Sequence, residues 1–312
     1  MLKFIARLRL ISRAKAFTIQ KQNISGPTVV DAYWGRHTVR SKRFTSANES
    51  LNYLGWRFTE YPLFREFMDL YGNHDDEVVL DYGCGPGNDL VGFLVYTKAK
   101  KVIGLDVSSK ALELARHRLA LHELNPSRVE LIQSIDSISD IPIGDKAVNY
   151  IYCEGVLHHT SHPEAILGEF YRILKPGAQA CIMVYNQNSL WLHLYTAYQK
   201  VILENAFPEM DLLKAFSKNT DGEHCPIARC YRPDDFIAMC SNEGFRVEYV
   251  GGYFLSHELK LLKELGERAM MDELLAIEHR EFIRRLVYDK NGYPLYEGKH
   301  AGIGGVYKLR KG

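Results

Sequence analysis

Three histidines and a glutamate fall within ten residues of this chain, in the stretch EGVLHHTSHP (154–163). The stretch suits a metal site or a general base, because histidine serves in both roles. His158 and His162 stand four residues apart, a spacing at which two side chains share one helix face. Ser161 and Glu164, however, fit a capping box, which predicts a helix start that separates the two histidines. We therefore expect no metal here, and His158 is the candidate that faces the site, as a base or as part of its wall.

A second chemical signal is the glycine loop LDYGCGPGND (80–89), which follows a strand-like apolar run and precedes a helix-like one. Its spacing is G-x-G-x-G, and Asn88 stands where a dinucleotide fingerprint needs its third glycine. Such a loop lets a ligand approach main-chain N–H groups at a helix N-terminus. Asp106 ends the next strand-like run, where its carboxylate can accept hydrogen bonds from both hydroxyls of a ribose. A structural turn with a capping acid is the alternative.

The elements that must position these residues alternate between strand and helix from residue 77 onward. Short apolar runs predict strands, and amphipathic stretches with capping residues predict helices. This alternation implies a parallel sheet covered by helices on both faces. The predicted strands are 77–83, 101–107, 129–134, 148–153, 178–186, 246–254 and one within 301–312; the predicted helices are 89–98, 108–124, 161–174 and 231–245, with further helical segments in 187–226 and 256–290.

Five motifs, in this order, resemble those of the class I S-adenosylmethionine (SAM)-dependent methyltransferases, in particular the small-molecule branch with an LHH loop and an LKPG turn. They are VLDYGCGPG, IGLDVS, IPIGDKAVNYI, GVLHHTSHP and EFYRILKPG. The resemblance spans residues 75–186, continues more weakly to residue 255 and returns at the last strand. It implies an α/β fold with a doubly wound, Rossmann-like seven-stranded sheet. The last strand would be antiparallel, and N-terminal lid helices and helical insertions would complete the chain.

The resemblance also implies SAM as the cofactor and S-adenosylhomocysteine (SAH) as its product. It places the methionine part of SAM at the glycine loop, the ribose on Asp106 and the adenine beside Val107. An acid after the third strand would meet the adenine amino group; Asp136 is preferred, and Ser137 is the alternative. The expected cofactor contacts are Asp81, Gly83, Cys84, Gly85, Gly87, Asp106, Val107, Asp136 and Glu154.

Methyl transfer from a sulfonium is an in-line displacement, so the protein must mainly hold the acceptor close to the methyl carbon. A base is needed only where the acceptor starts protonated. We expect His158 and Tyr185 at the reacting end, whereas His159 packs or caps, and we expect His158→Ala to impair transfer more than His162→Ala. The lid supplies the expected acceptor contacts Tyr33, Trp34, His37 and Arg57, and the segment 220–231 supplies Arg229.

The expected organisation has six segments. These are a basic helix and lid (1–74), a SAM-binding core (75–186), a substrate-cap insertion (187–226), a continuation of the core (227–255), a helical insertion (256–300) and a final core strand (301–312). The six cysteines form no C-x-x-C pair, which is typical of reduced thiols. His224, Cys225 and Cys230 are potential metal ligands, but their spacing favours a structural loop, and no metal is predicted.

The net charge of the whole chain is only +1, which argues against nucleic acid as a partner. Residues 1–30 nevertheless hold six basic residues and no acid. Apolar residues recur there at helical spacing, which predicts a basic amphipathic helix. Such a helix can pack on the domain, lie on an anionic membrane through residues 1–17, or act as an organellar presequence. We expect a cytoplasmic location, with peripheral membrane contact as the alternative.

The predicted function is methyl transfer from SAM to a small-molecule acceptor, at oxygen, nitrogen or carbon, with lipid- and glycan-related acceptors among the options. The alternatives are an RNA or protein methyltransferase and a SAM-binding partner protein without catalysis. A dinucleotide oxidoreductase is disfavoured by the glycine spacing. The sequence leaves the acceptor and the oligomeric state open.

Overall fold

A computed structural model describes residues 2–22, 28–39, 41–136 and 140–312, with side chains from residue 9 onward. Its strands are β1 Ile19–Lys21, β2 Val78–Tyr82, β3 Lys101–Asp106, β4 Val129–Gln133, β5 Val148–Glu154, β6 Leu174–Asn186, β7 Cys230–Tyr231, β8 Phe245–Tyr253, β9 Val287–Tyr288, β10 Pro294–Tyr296, β11 Lys299–His300 and β12 Gly304–Lys311. Its α-helices are α1 Leu2–Ala16, α2 Val29–Arg36, α3 Ala47–Glu60, α4 Phe64–Phe67, α5 Asn88–Tyr96, α6 Ser109–Leu121, α7 Pro163–Ile173, α8 Leu212–Asp221, α9 Pro233–Asn242, α10 Ser256–Met271 and α11 Ile277–Arg284. A π-helix spans Trp191–Leu203.

The central sheet has the order β1-β4-β3-β2-β5-β6-β12-β8, and the two-residue β7 pairs with the end of β6. The strands from β1 to β6 pair in parallel, and β12 runs antiparallel to both β6 and β8. The predicted seven-stranded arrangement with an antiparallel last strand is therefore confirmed. β1 and β7 were not predicted, because strands of two or three residues are too short to give a periodic signal.

Successive residues of a strand face opposite sides of the sheet, and both sides of this one are covered. Val79 on β2 packs in a core with Leu90 of α5 and Leu112 of α6. Its neighbour Leu80 packs in the opposite core with Phe170 of α7. Each such fully buried side chain contributes about 1.5–3 kcal/mol, which explains why these strands have no polar face.

The N-terminal segments pack on the domain around α6. Leu10 and Ala14 of α1 contact the core, and Phe17 is buried there. The guanidinium of Arg118 on α6 is buried and donates to the hydroxyl and the carbonyl of Ser50 on α3, at 2.6 and 2.9 Å. Of the alternatives for the basic helix, packing on the domain accounts for these contacts. No helix within the described ranges is long and apolar enough to span a membrane.

The two insertions form a third apolar cluster. Leu194 and Tyr198 of the π-helix pack there with Leu261 of α10 and Phe282 of α11. The expectation that residues 256–290 are helical is wrong beyond Arg284. The chain there forms the small antiparallel sheet β9–β10–β11, because Gly292 takes a positive φ of 81° and turns the chain back between β9 and β10.

Candidate functional site

A cavity of about 610 Å³ opens at the carboxyl ends of the parallel strands. The chain order reverses at this point, because β2 pairs with β3 on one side and with β5 on the other. Open α/β sheets bind ligands in the crevice at such a reversal. The cavity continues from the glycine loop after β2 to the insertion that contains the π-helix and α8.

The glycine loop forms the floor of the cavity. Gly83 takes a φ of 76°, and a Cβ atom at this position would lie 2.2 Å from Cγ2 of Val156, so no larger residue fits. The N–H of Gly85 donates to Oδ2 of Asp106 at 2.8 Å, which binds the loop to the end of β3. Gly83, Cys84 and Gly85 line the cavity as expected.

Gly87 was expected to line the cavity, but it lies where α5 packs against α6. It precedes α5 with a φ of 77°, and a Cβ atom there would lie 3.0 Å from the Cβ atom of Ala115. The residue lets α5 approach α6 closely and is not part of the cavity lining. Its assignment as a cofactor contact stays a prediction.

Two carboxyl groups stand at the centre of the cavity. Asp81 is buried, and its Oδ2 atom has no hydrogen-bond partner among the described residues. Burial raises the pKa of Asp81 well above its usual value, and the nearby carboxyl of Asp89 adds to this effect. Glu154 accepts a hydrogen bond from the Tyr253 hydroxyl at 3.0 Å. A buried carboxyl group with an unpartnered oxygen suits a cationic group of a ligand, because the cation would favour its ionised form.

Arg57 stands behind these acids and does not line the cavity. It is 1% exposed and forms a bidentate pair with Asp89, at 2.8 and 3.1 Å. Its Nη2 atom also lies 3.5 Å from Oε2 of Glu154. The Arg57 guanidinium thus contacts both acids, and its expected contact with the acceptor stays a prediction.

The far side of the cavity carries the expected ribose and adenine residues. Asp106 accepts from the N–H of Ser108 at 2.7 Å in addition to Gly85, and burial raises its pKa. Val107 and Asp136 line the cavity as well. The carboxylate of Asp136 is already bonded, because it accepts from the N–H of Ser161 at 2.9 Å and from the Ser161 hydroxyl. The alternative residue, Ser137, lies outside the described residues.

The same contacts overturn the predicted capping box. The Ser161 hydroxyl donates to Asp136, and α7 begins at Pro163 with His162 as its N-cap residue and no side-chain cap. The conclusion drawn from the capping box still holds. His158 belongs to a single 3₁₀ turn, Leu157–His159, so His158 and His162 do not share a helix face.

The positions of the two adjacent histidines relative to the cavity are the reverse of those expected. His158 is fully buried behind the cavity, and neither of its ring nitrogens has a hydrogen-bond partner among the described residues. Its ring lies between those of His159 and Tyr185, at 4.1 and 3.9 Å. Burial lowers its pKa well below the usual value, so His158 is neutral. His159, by contrast, lines the cavity.

His159 and Tyr185 meet at the acidic end of α8. Nδ1 of His159 lies 2.7 Å from the carbonyl oxygen of Ile227, which can only accept, so Nδ1 carries the proton and Nε2 is the basic nitrogen. Nε2 lies 3.5 Å from Oδ1 of Asp221, and the Tyr185 hydroxyl donates to that same oxygen at 2.8 Å. Burial raises the pKa of Asp221 and lowers that of His159. The pair can therefore exchange one proton.

The lid helix α2 closes this end of the cavity. The Tyr33 hydroxyl donates to the carbonyl of Asp221 at 2.6 Å, and its ring stacks on His37 with centroids 4.1 Å apart. The indole of Trp34 packs edgewise on His159 at 4.8 Å. All three lid side chains named in the sequence analysis line the cavity.

Arg229 stabilises the loop that contains His158 and His159 through hydrogen bonds to its carbonyl groups. Its guanidinium donates to the carbonyl of Thr160 at 2.6 Å, and its N–H donates to the carbonyl of His158 at 3.0 Å. It does not line the cavity, and its expected contact with the acceptor stays a prediction.

One group of side chains in the described ranges could hold a metal ion. The ligand atoms of His159, Asp221 and Cys225 all lie within 4.8 Å of one another. His159 is already hydrogen-bonded to the Ile227 carbonyl, and Asp221 is already hydrogen-bonded to the Tyr185 hydroxyl. Cys230 lies in β7, apart from this group. The expectation of no metal stays a prediction.

Sequence reasoning missed part of the acceptor end. Asp221 and Thr220 come from α8, and Tyr253 and Leu255 from the end of β8. A turn signal, Asp221-Gly222, was visible in the sequence, but nothing in its spacing indicated that α8 folds back onto the loop after β5.

Residues 73–216 match the family described as a methyltransferase domain. The fold, the glycine loop and this match agree, and the chain contains a class I SAM-dependent methyltransferase domain. The small-molecule branch suggested by the LHH loop is not distinguished by this match.

An uncharacterised methyltransferase of Schizosaccharomyces pombe is 34% identical over 33% of this chain and 38% of its own length. A ubiquinone biosynthesis O-methyltransferase of Chromobacterium violaceum is 26% identical over 61% of this chain and 74% of its own. The chain spans about two fifths of the length of the first curated relatives it matches. A SAM-dependent methyltransferase structure from Mesorhizobium loti shares the fold, with a TM-score of 0.50, 14% identity and coverage of 80% of this chain and 97% of that one.

Proposed function

We propose that the cavity binds SAM and that the protein transfers the methyl group to a small-molecule acceptor. One arrangement carries the proposal: Asp81, the glycine loop and Asp106 line one cavity that leads without interruption to Tyr185 and His159. Asp81 offers a carboxyl group with an unpartnered oxygen, the glycine loop offers main chain that a ligand can approach closely, and Asp106 offers a second carboxyl group. These match the amino group, the methionine chain and the ribose of SAM in chemical type.

The proposed roles follow from this fit. Asp81 and Glu154 face the cationic amino group, and Asp106 accepts from the ribose hydroxyls. Val107 packs on the adenine, and the chain at Asp136 meets its amino edge. When bound, SAM supplies a methyl group already activated on a sulfonium. What remains for the protein is to exclude water and to orient the acceptor, which α2 and the insertion achieve by covering this end of the cavity.

The reacting end contains Tyr185, His159 and Asp221, with Tyr33, Trp34 and His37 as acceptor contacts. His159 replaces His158 in this role because its ring lines the cavity whereas that of His158 lies behind it. The nitrogen Nε2 of His159 and the carboxyl of Asp221 can take up a proton from the acceptor. Tyr185 holds Asp221 in place through its 2.8 Å hydrogen bond.

A small acceptor is favoured because the cavity is enclosed by aromatic side chains. Relatives point in the same direction: one that covers 72% of this chain, from Pseudomonas savastanoi, is named a ubiquinone biosynthesis O-methyltransferase. Near-neutral charge gives no support to an RNA acceptor. Membrane contact through residues 1–17 and the oligomeric state stay open in this proposal.

The test is to incubate the protein with methyl-labelled SAM and cell extract and to follow the label by mass spectrometry. A labelled small molecule supports the proposal. Label confined to RNA or protein would instead favour a macromolecular acceptor. Binding of SAM without transfer to any acceptor would favour a non-catalytic partner protein. Asp81→Asn, which weakens the cofactor site, serves as the negative control in each arm.

A further inference from the structure

We propose that the acceptor has a hydrophobic portion, aromatic or aliphatic, that binds an apolar subsite formed by Trp191, Leu255 and Ile303, and that Glu258 positions this subsite. The inference rests on the proposed function and narrows the acceptor from any small molecule to one with a hydrophobic portion. A wholly polar acceptor, such as a free sugar, does not fit it. The packing of the three residues, the hydrogen bonds of their polar atoms and the contacts of Glu258 carry the inference.

The three apolar residues come from separate parts of the chain and line the same cavity. Trp191 begins the π-helix, an element that is rare and is frequently found at functional sites. Leu255 precedes α10, and Ile303 precedes β12. All three pack in one apolar cluster with Phe216, and Tyr185 packs against the same cluster. The apolar subsite is therefore continuous with the reacting end of the cavity.

The main-chain donors of the subsite are already bonded within the protein. Glu258 accepts from the N–H groups of Trp191 and Leu255 at 3.0 and 2.8 Å, and from that of Ile303 at 3.3 Å. The indole N–H of Trp191 donates to the Thr220 hydroxyl at 2.9 Å. Because these donors are occupied, the three residues present apolar side chains to a ligand. Such a surface binds the apolar part of a ligand by removing it from water.

Glu258 does more than cap its own helix. It is fully buried on α10, and its bond to the N–H of Leu255 is the one that a capping box provides. The other two N–H groups belong to the start of the π-helix and to the segment before β12. Glu258 does not line the cavity, but each of the three residues that it holds does. It is therefore a positioning residue, which acts on the acceptor through these side chains.

Ile303 connects Glu258 to the reacting end. Its N–H donates to Glu258, and its carbonyl accepts from the N–H of Asn186 at 2.9 Å. Asn186 directly follows Tyr185 at the end of β6. A shift of the subsite would thus move the bound acceptor relative to Tyr185 and to the methyl carbon. Methyl transfer depends on this alignment, so the subsite contributes to orientation as well as to affinity.

The class of acceptor is tested with the full chain, methyl-labelled SAM and a cell extract, by partition of the labelled small molecules between water and 1-octanol. A labelled product that enters the octanol phase is expected. A labelled product confined to the aqueous phase overturns this inference and leaves the proposed function intact. No labelled small molecule at all overturns both.

The role of Glu258 is tested with the acceptor recovered in this way. Glu258→Gln replaces one of the two accepting oxygens with an NH₂ group, so at least one of the three N–H groups loses its partner. The KM for the acceptor should rise at least about fivefold, because an unsatisfied buried donor displaces the wall. SAH affinity should stay unchanged, which shows that the cofactor site is intact. Glu267→Gln, an exposed acid on the same helix, is the control.

A merely structural role for Glu258 would reduce the fraction of protein that binds SAH and would leave the KM of the folded fraction unchanged. That result would contradict the positioning role. A rise in KM without a loss of SAH binding supports it.

A second variant tests the subsite without disturbing Glu258. Leu255→Asn places a polar side chain in the wall and keeps the N–H that Glu258 accepts from. Leu255 is the N-cap residue of α10, where asparagine is favoured, so the helix is retained. The KM for the acceptor should rise at least about tenfold through the loss of apolar contact. Leu255→Met, which keeps the wall apolar, is the matched control and should resemble the wild type. Equal KM values for the two variants would remove the subsite from the acceptor site.

Discussion

Nε2 of His159 lies 3.5 Å from Oδ1 of Asp221, although the two residues belong to different parts of the chain. His159 ends the turn after β5 in the core, and Asp221 ends α8 in the insertion. Their pairing joins the insertion to the core at the wall of the cavity. We therefore propose His159 as the basic residue of the site in place of His158, because the His159 side chain lines the cavity whereas His158 is fully buried behind it.

The first prediction separates the two histidines. His159→Ala should lower methyl transfer at least about tenfold, because it removes the basic nitrogen beside Asp221. His158→Leu should retain transfer and change the free energy of unfolding by less than about 1.5 kcal/mol, because it fills a similar volume and breaks no hydrogen bond described for His158. Rates and chemical denaturation of both variants provide the measurement. A larger loss of activity in His158→Leu would return His158 to the site.

The second prediction concerns the buried acid of the cofactor site. Asp81→Asn replaces a carboxyl group, which a bound cationic amino group would hold in its ionised form, with an amide that cannot ionise, and should weaken SAH binding at least about tenfold. Calorimetric titration with SAH measures the change. Asp145→Asn, a substitution of an exposed acid outside the cavity, is the control and should bind SAH like the wild type. Unchanged binding by Asp81→Asn would remove Asp81 from the site.

The third prediction concerns the buried ion pair behind the cavity. Arg57→Met leaves Asp89 buried without its bidentate partner and should lower the free energy of unfolding by about 3–5 kcal/mol. Asp89→Asn in the same chain should restore part of the loss, because it removes the uncompensated charge. Urea denaturation of the two single variants and the double variant gives the coupling. Additive losses would mean that the two side chains do not stabilise each other.

The fourth prediction uses Glu258, which links the π-helix, α10 and the last part of the chain. Its carboxyl accepts from the N–H groups of Trp191 and Leu255 at 3.0 and 2.8 Å, and from that of Ile303 at 3.3 Å. Burial raises its pKa from 4.5 to about 8. Between these two pH values the folded state holds a proton that the unfolded state has lost, so the contribution of Glu258 to stability falls as pH rises.

Glu258→Gln tests this sign. The stability advantage of the wild type over Glu258→Gln should shrink by about 1 kcal/mol or more between pH 6 and pH 8.5, since one pKa unit is worth about 1.4 kcal/mol. Thermal or urea denaturation across this range measures the difference. An advantage that is constant or grows with pH would show that Glu258 is ionised in the folded protein.

The core of the fold was accessible from the sequence because its signals are local. Apolar runs and capping residues lie within single elements, and the glycine loop and Asp106 end adjacent parallel strands, so their proximity follows from the sheet alone. The antiparallel last strand, by contrast, came from the resemblance to a family and not from any periodicity in the chain.

The acceptor end was harder because its contacts are distant in sequence. Which of His158 and His159 faces the cavity depends on the carbonyl of Ile227, and no local pattern reveals that contact. Ser161 matched a cap by spacing, yet its hydroxyl is bonded to Asp136 from another loop. Arg57 was expected to contact the acceptor from the lid, whereas its guanidinium pairs with a buried acid on α5.

The central claim, that this cavity is a SAM site, is tested most directly by calorimetric titration with SAH and with NAD. The wild-type protein should bind SAH at one site and give no binding heat with NAD. Asp106→Asn should weaken SAH binding at least about tenfold, through the loss of the carboxylate that faces the ribose. Binding of NAD without binding of SAH would contradict the account.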